Sequence, residues 1–321
     1  MRAFYLLLIV LFAACEIPDA PLPGITGKAG ELVVVMDEVH WKTEAGDTVF
    51  NSLTRDVYGL PQPEPMFNVV HIKSAAFTKI FQTHRNIVYA KIGKSEKASI
   101  ELVKNKWANP QVVVEIKAPN IEEFVKLFGN NSSKIIGHIL NAEEERTLKS
   151  YKAQINEGLT STLRDKYGVG LVMPKGYKLI SEEQNFAWLR HDNKEISQNI
   201  LIYSEPYTRA NTFSKAGMIE AMSGYCKAHV PGPDAGTFMS IYTDYPPAFN
   251  ETSITGKYAA KLTGLWDVDG ALMGGPFVCY AMLDPTETTV TYVHGFVFAP
   301  GKKKRNYLRQ VDAILNSVSV Q

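Results

Sequence analysis

The chain has 321 residues, of which 45% are hydrophobic and 21% charged, and its 34 Lys and Arg nearly balance its 33 Asp and Glu. This composition excludes a disordered chain. A net charge of +1 creates no field that would attract nucleic acid, so we expect no nucleic-acid partner.

The amino terminus has the pattern of a bacterial export signal. Arg2 supplies a positive charge, residues 3–14 are apolar, and two alanines precede Cys15. The run is shorter than the roughly 20 residues that span a bilayer, but it suits a secretory signal. A cysteine after small residues resembles the lipobox of bacterial lipoproteins, which implies that residues 1–14 are removed and that Cys15 is lipidated. The alternative is an ordinary signal cut near Ala14, which would release a soluble periplasmic protein.

Residues 15–27 are predicted to form an extended, lipidated tether, because Pro18, Pro21 and Pro23 disfavour regular structure. At about 3.1 Å per residue, such a segment would hold a domain some 40 Å from the membrane. The rest of the chain, residues 28–321, is predicted to fold as two lobes.

The first lobe, residues 28–168, is predicted to mix strands and helices. β-Branched runs indicate its strands, and apolar stripes at helical spacing indicate its helices. One helix is expected from Asn120 to Gly129 and a longer one from Asn141 to Tyr167. The other predicted elements are strand 31–37, helix 43–57, and strands 68–72, 86–92, 99–104 and 111–117.

In the second lobe, residues 169–321, the predicted strands crowd together. One helix is expected to begin at Asn211 and to stop before Pro231, and a final helix is expected over 304–318. The turn signature DPT at 284–286 joins the last two strands as an antiparallel hairpin. The predicted strands are 170–173, 177–181, 186–190, 197–204, 238–243, 252–266, 277–283 and 288–298.

Together these elements predict an α+β fold of mostly antiparallel sheets packed by helices. Each lobe ends on a long helix. That shared layout leaves open a duplicated α+β unit of two similar lobes, although no residue-level repeat supports it.

After Cys15 two cysteines remain, Cys226 and Cys279. An oxidising envelope permits a disulfide between them. Cys226 lies on the apolar stripe of a predicted helix and Cys279 lies in a predicted strand, so we favour buried free thiols. A catalytic Cys226 paired with His229 is the weakest alternative, because no activating neighbour is evident.

No motif with a defined chemistry occurs in the sequence. The GxSxG, SxxK, HExxH, CxxC, GxxxxGK[ST] and GxGxxG patterns are absent. No two histidines have the three- or four-residue spacing of a helical metal site. We therefore expect no cofactor and no metal site, and we assign no catalytic residue.

Two clusters of carboxylates allow two interpretations each. Asp37, Glu38 and His40 follow the first predicted strand, where sheet proteins often place ligands, and could supply acid–base chemistry. We favour a solvated turn at this position. Asp267 and Asp269 match a fragment of a calcium-loop pattern, but without its bidentate Glu a polar turn is the better interpretation.

The candidate contact surface combines a proline-rich segment with two tryptophans, because exposed aromatic and proline side chains contact partners at low entropic cost. It consists of Trp41, Pro61, Pro63, Pro65 and Trp266.

Two further features could contact ligands. Gly274 and Gly275 could present backbone N–H groups to an anion, although a bend that aims a strand into the sheet is simpler. The basic run 302–305 opposes the dipole of the last helix. It could contact lipid phosphates or an acidic partner, but a solvated helix cap is the favoured interpretation.

Three motifs carry a resemblance to a known family. GLPQPEPMF at 59–67, and the block from Tyr258 through GLW (264–266) to MGGPFV (273–278), are similar to an uncharacterised lipoprotein family of Bacteroidetes, domain of unknown function family 4837. The resemblance covers residues 27–318 and implies bacterial origin, lipidation and a single family-wide domain. It implies no reaction, ligand or catalytic residue.

We therefore expect a lipid-anchored protein of the bacterial cell envelope that binds or scaffolds an unknown envelope protein or glycan. Glu16 follows the cysteine where Asp would signal inner-membrane retention in enteric bacteria, which favours the outer membrane, facing the periplasm. The alternative is an envelope hydrolase that uses one of the two carboxylate pairs together with His40.

Overall fold

The computed structural model describes residues 21–268 and 270–321. The chain forms two lobes, each built on its own β-sheet, and the predicted α+β fold is confirmed. Within the described residues, no helix combines the length and the apolar character that crossing a membrane requires.

The sheet of the first lobe has five strands: Glu31–Val35 (β1), Asn68–Ile72 (β2), Asn86–Ile92 (β3), Ser99–Lys104 (β4) and Val112–Ala118 (β5). Their order is β2-β1-β3-β5-β4. β1, β2, β3 and β5 run parallel, and β4 pairs antiparallel with β5 at the edge. β1, β3 and β5 are largely buried, which explains continuous apolar runs such as VVV in β1.

The helices of this lobe are Glu38–Trp41 (α1), Glu44–Thr54 (α2), Lys79–Gln82 (α3) and Ile121–Lys152 (α4). α2 and α4 bury their apolar stripes against one face of the sheet, where Leu53 and Phe124 join the core. Both helices begin at a capping side chain. The Thr43 hydroxyl accepts from the Ala45 N–H at 3.4 Å, and the Asn120 side chain accepts from the Glu123 N–H at 2.9 Å.

α4 is one helix of 32 residues. The prediction of two helices, one ending at Gly129 and one beginning at Asn141, is therefore wrong. The buried residues Phe128, just before the predicted break, and Ile135, within it, keep one continuous apolar stripe on the sheet. The cost of a glycine inside a helix, about 1 kcal/mol, is smaller than the gain from burying these side chains.

The next helix, Glu157–Tyr167 (α5), begins separately because the Asn156 side chain accepts from the Leu159 N–H at 3.2 Å. Leu159 and Leu163 pack into the core of the second lobe. The structure thus divides the lobes between α4 and α5, before the expected division at residue 168.

The described part of the second lobe contains ten strands: Val169–Gly170 (β6), Lys178–Glu183 (β7), Phe186–Asp192 (β8), Ser197–Pro206 (β9), Met239–Tyr242 (β10), Ala248–Ile254 (β11), Lys257–Val268 (β12), Ala271–Leu283 (β13), Thr289–Phe298 (β14) and Ser319–Val320 (β15). Eight form an antiparallel sheet in the order β10-β12-β13-β14-β9-β8-β7, with β11 also paired to β12. β6 and β15 pair separately. Because this sheet is antiparallel and the first is mostly parallel, the two lobes are not copies of one unit.

Two helices, Lys215–His229 (α6) and Arg305–Asn316 (α7), cover opposite faces of the second sheet. Alternate residues of β13 face one helix or the other, as the period of a strand requires. α7 approaches β14 closely at Gly295, where a Cβ atom would lie 2.1 Å from the Cγ1 atom of Val311. The predicted final helix is confirmed.

The predicted hairpin between β13 and β14 is also confirmed. The Asp284 carboxylate accepts hydrogen bonds from the N–H groups of Thr288 and Thr289, at 2.9 and 2.8 Å. Together with the hydroxyl of Thr286, these donors lower the pKa of Asp284.

Residues 58–67, called the strap below, connect the two lobes. The Tyr58 hydroxyl donates to the Pro246 carbonyl, and the Gln62 side chain donates to the Lys302 carbonyl at 3.2 Å. Gly59 has a φ of +78° and lies so close to β12 that a Cβ atom would be 3.4 Å from the Gly264 nitrogen. The prolines therefore stiffen a segment in which Gly59 and Glu64 are buried, whereas Pro61 and Pro63 are exposed.

Glu64, at the centre of the strap, caps α7. Its carboxylate is 2% exposed and accepts from the N–H groups of Lys304 and Arg305, at 2.5 and 3.2 Å. The Arg305 guanidinium donates in turn to the Pro65 carbonyl. One buried carboxylate thus satisfies the first amides of the helix and opposes the two positive charges there.

We predict that Glu64→Gln weakens the junction between the lobes. The amide keeps the volume of the side chain but loses charge-assisted bonds worth about 1.5–3 kcal/mol each, so we expect a loss of about 2–3 kcal/mol in the free energy of unfolding. Urea denaturation measures this loss.

The matched control is Gln62→Ala, which removes an exposed bond from the same strap and should cost no more than about 0.5 kcal/mol. Equal shifts of the urea midpoint in both variants would contradict a special role for Glu64.

Candidate functional site

A cavity of about 150 Å³ lies where α4 meets α7. It is smaller than the roughly 300–1,000 Å³ of ordinary ligand pockets. Its wall mixes apolar stems with charged heads from both lobes. The lining residues are Ala29, Gly30, Leu140, Glu143, Glu144, Thr147, Asn306, Arg309, Gln310 and Asp312.

Two carboxylates, Glu144 on α4 and Asp312 on α7, line this cavity from opposite lobes. Burial raises the pKa of Glu144, and the negative charge of Asp312 raises it further. Asp312 accepts from the Tyr280 hydroxyl at 2.7 Å and from the Lys261 ammonium at 3.0 Å. A carboxyl with a raised pKa near an ion-paired carboxylate is an arrangement that acid–base enzymes use, but here Glu144 also joins the lobes by accepting from the Asn316 side chain at 3.0 Å.

Arg309 of α7 also lines the cavity. Its guanidinium lies 5.5 Å from the ring of Phe67 and donates to the Met66 carbonyl at 2.9 Å. Burial, with the neighbouring charge of Arg305, lowers the pKa of Arg309 to about 10. The Arg309 side chain is therefore held in place by its contacts with the strap.

Glu143 forms the deepest part of the wall on α4. Its carboxylate accepts from Arg85 at 2.7 and 2.8 Å and from Arg146 at 2.9 Å, and Asn86 donates to it as well. Each charge in this buried group has a partner of opposite sign, which is the condition for keeping charges inside a protein. The group connects α4 to the start of β3.

The first predicted carboxylate pair lies elsewhere, at the carboxyl edge of the first sheet. Asp37 is exposed, and Glu38 forms ion pairs with Lys42 at 2.9 Å and Lys73 at 3.3 Å, which lower its pKa. Neither carboxylate lines the cavity between α4 and α7. His40 lies in the same short helix, α1, as Glu38.

The second predicted pair cannot be compared as a pair, because Asp269 lies outside the described residues. Asp267 is in β12, and its carboxylate accepts from the Ser240 hydroxyl at 2.5 Å. In residues 21–268 and 270–321, no group of three or more His, Cys, Asp or Glu is placed to hold a metal ion.

The structure separates the residues of the predicted contact surface. Pro61, Pro63 and Pro65 belong to the strap; Pro61 and Pro63 are exposed, and the carbonyl of Pro65 accepts from Arg305. Trp266 is 3% exposed, and its indole N–H donates to the Val297 carbonyl at 3.3 Å. The expectation of an exposed Trp266 is therefore wrong: the side chain fills the core beneath α6.

Trp41, away from the strap, borders another exposed apolar surface. Its indole stacks on the His71 ring, with ring centroids 4.2 Å apart and planes 4° from parallel, and it meets the edge of Phe50 at 6.2 Å. Phe50 and Val39 are exposed. We call these four residues, Val39, Trp41, Phe50 and His71, the Trp41 surface.

Gly274 and Gly275 allow close packing of strands. A Cβ atom on Gly275 would lie 2.0 Å from the Val297 carbonyl oxygen, and one on Gly274 would lie 2.8 Å from that of Trp266. Both glycines pair with β12. The structure thus supports the interpretation that these glycines serve the path and packing of the strand. The backbone at Gly274 and Gly275 does not form an anion-binding cradle.

The two later cysteines are buried free thiols, as favoured. Burial raises the pKa of Cys226 to about 12, which makes it unreactive. The alternative pairing with His229 is wrong, because the His229 ring contacts Glu183 at 2.9 Å. Cys15, the predicted site of lipidation, lies outside the described residues.

A buried histidine in the same core was not singled out by the sequence. His294 is fully buried among Phe277, Phe296 and Tyr203, and neither ring nitrogen has a hydrogen-bond partner in the described part of the chain. Burial lowers its pKa to about 3. The ring therefore stays neutral at physiological pH and acts as a core side chain.

Sequence reasoning missed the residues that line the cavity. Glu143 and Glu144 stand in a run of three glutamates just after Asn141, where a helix was predicted to begin. Their burial depends on partners far along the chain, such as Arg85 for Glu143 and Asn316 for Glu144. Only the helical spacing of Glu143 and Arg146 could have suggested an ion pair.

Comparison with known families identifies the chain. Residues 156–317 match the family described as Domain of unknown function (DUF4837), and the chain belongs to this family. Residues 25–152 match a second family, described as Domain of unknown function (DUF8532). The two matches meet between α4 and α5, where the structure divides the lobes. No curated protein matches the chain.

Solved structures show only distant similarity. LpqN of Mycobacterium tuberculosis, involved in cell envelope biogenesis, is 12% identical over 48% of this chain and 83% of its own, with a TM-score of 0.30. A protein of Bacteroides thetaiotaomicron is 8% identical over 48% of this chain and 45% of its own, with a TM-score of 0.27. The lipid transfer and protein localization domain of human StarD13 is 13% identical over 50% of this chain and 94% of its own, with a TM-score of 0.23. Scores at this level do not indicate a shared fold.

Proposed function

We propose that this protein is a lipid-anchored component of the bacterial cell envelope that binds an envelope protein or glycan through the Trp41 surface. The observation that carries the proposal is the place of this surface in the fold. Trp41 and His71 lie at the carboxyl ends of β1 and β2, and ligands of open parallel sheets bind outside this edge.

The chemistry of the Trp41 surface supports binding. A stacked pair of aromatic rings with the exposed Phe50 ring at its edge offers a rigid apolar contact, and such contacts contribute most of the affinity in many interfaces. Val39, in the same short helix as Trp41, is exposed as well. Glu38 and Lys42 form a polar rim next to it. Aromatic faces of this kind suit an apolar protein segment or the flat face of a sugar ring.

A hydrolase is less well supported by the geometry. The predicted carboxylates lie on the surface, and Glu38 is held by two lysines. The carboxylates that do meet in a cavity, Glu144 and Asp312, leave room of only about 150 Å³, and Asp312 is held by Lys261 and Tyr280. Binding therefore remains the function that we propose.

The anchor is tested by Cys15→Ser. Because acyl chains would be the membrane attachment, and two or more are needed for stable anchoring, we expect the wild-type chain in the detergent phase of a detergent–water separation and the variant in the aqueous phase. Mass spectrometry of the wild-type amino terminus should show an acylated residue.

The matched control is Cys226→Ala, which removes a buried thiol and should leave the chain in the detergent phase. A processed Cys15→Ser protein that still enters that phase would overturn the anchor.

Binding is tested by a photo-crosslinking side chain at position 39 in the producing cell. We expect discrete adducts with an envelope protein or glycan. Trp41→Ala should reduce their yield about tenfold, since a central aromatic contact often contributes 2 kcal/mol or more. Circular dichroism checks that the variant folds.

The control crosslinker is placed at Tyr258, an exposed residue of the second lobe, and should give no adduct that depends on Trp41. Adducts at position 39 that are insensitive to Trp41→Ala, or no adducts there at all, would remove the basis of this proposal.

A further inference from the structure

We propose that the amino edge of the first sheet, around Leu22 and Ile80, lies against the phospholipid bilayer, so that the Trp41 surface points away from the membrane. This inference rests on the lipid anchor of the proposed function. It adds the orientation of the folded part, which the anchor alone leaves free.

The first observation is where the chain leaves the folded part. The Asn109 N–H donates to the Pro23 carbonyl at 2.9 Å, and the Thr26 N–H donates to the Thr83 carbonyl at 2.8 Å. Asn109 and Thr83 lie shortly before β5 and β3, at the amino ends of these parallel strands. Much of the segment predicted as a tether is thus fixed to the amino edge of the sheet.

The second observation is the length of chain that remains. Only five residues lie between the predicted lipidation site, Cys15, and Pro21, the first described residue. Fully extended, they reach at most about 20 Å. The anchor therefore keeps the amino edge near the bilayer surface, whereas the 40 Å tether expected from sequence would have allowed any orientation.

The third observation is an exposed apolar side chain at this edge. Ile80 of α3 is 79% exposed, and Leu22 beside the chain exit is 45% exposed. The Thr83 hydroxyl donates to the Ile80 carbonyl at 3.1 Å and lies 3.2 Å from the hydroxyl of Thr26. Ile80 is thus within one helical turn of residues that hold the exit segment, and it is placed to enter the interfacial layer of a membrane.

A positive charge lies beside Ile80. Lys79 is exposed and has no ion-pair partner among residues 21–268 and 270–321. Anionic lipid headgroups attract a lysine, so Lys79 supports a membrane contact at this edge.

The Trp41 surface follows the carboxyl ends of the strands. A strand of five residues, such as β1, spans about 17 Å, so this surface lies at least that far beyond the amino edge. An anchored protein in this orientation presents its binding surface to the aqueous compartment.

The test compares two single-cysteine labels on the full, lipidated chain, Ile80→Cys and Val39→Cys. Both positions are exposed, at 79% and 68%, and both lie in the first lobe at opposite edges. Cys226 and Cys279 are buried, and Cys15 is acylated under the proposal, so a fluorophore attaches at the introduced thiol. The vesicles contain phosphatidylethanolamine, phosphatidylglycerol and a lipid with a nitroxide on its headgroup.

We expect the nitroxide to quench the label at position 80 at least about twofold more than the label at position 39, given the strand length between the edges. Equal quenching, or stronger quenching at position 39, in protein that floats with the vesicles would overturn the orientation and leave the anchor intact. Protein that does not float with the vesicles would overturn the anchor itself, and the orientation with it.

Discussion

The structure depends on one buried carboxylate, Glu64, at the amino end of α7. A helix that starts with two basic residues, each 5% exposed, is unfavourable in isolation because cations oppose the positive end of the helix dipole. Glu64 supplies the opposing charge and accepts the two free N–H groups there. It comes from a segment that precedes β2, so this contact fixes the position of the second lobe relative to the first sheet.

Several features follow from this contact. Once α7 is held at the strap, its outward face meets α4, and the side chains of Glu144 and Asp312 enclose the cavity between the lobes. The opposite face of α7 packs on the second sheet, where Val311 contacts the backbone at Gly295. α7 therefore contacts both lobes. The charged side chains that line the cavity belong mainly to the junction between the lobes.

Local patterns in the sequence predicted the elements whose causes are local. The hairpin at Asp284 and the stripe of α7 depend on residues a few positions apart, and both were predicted. The predicted end of a helix at Gly129 is wrong, because the packing of Phe128 and Ile135 on the sheet outweighs the local preference of glycine. Contacts with residues distant in sequence determine where such a helix ends.

The candidate site shows the same difference between features with local causes and features that depend on distant residues. The prolines of the strap suggested a contact surface for a partner; Pro65 and the neighbouring Glu64 contact α7, about 240 residues later in the chain, whereas Pro61 and Pro63 are exposed. Trp266 suggested an exposed anchor, yet antiparallel pairing directs it into the core. Trp41 remained at the surface because α1 ends the buried strand β1 and turns the chain outward. No pattern within the sequence distinguishes these two tryptophans.

The most direct test of this account is hydrogen exchange of the Lys304 and Arg305 amides at neutral pH. These amides stand at a helix start, where free N–H groups ordinarily exchange quickly. Because both donate to the buried Glu64, the account predicts protection as high as that of the β14 amides in the core. Exchange at the rate of an unprotected helix terminus would contradict it, and the lobes would then lack the connection described.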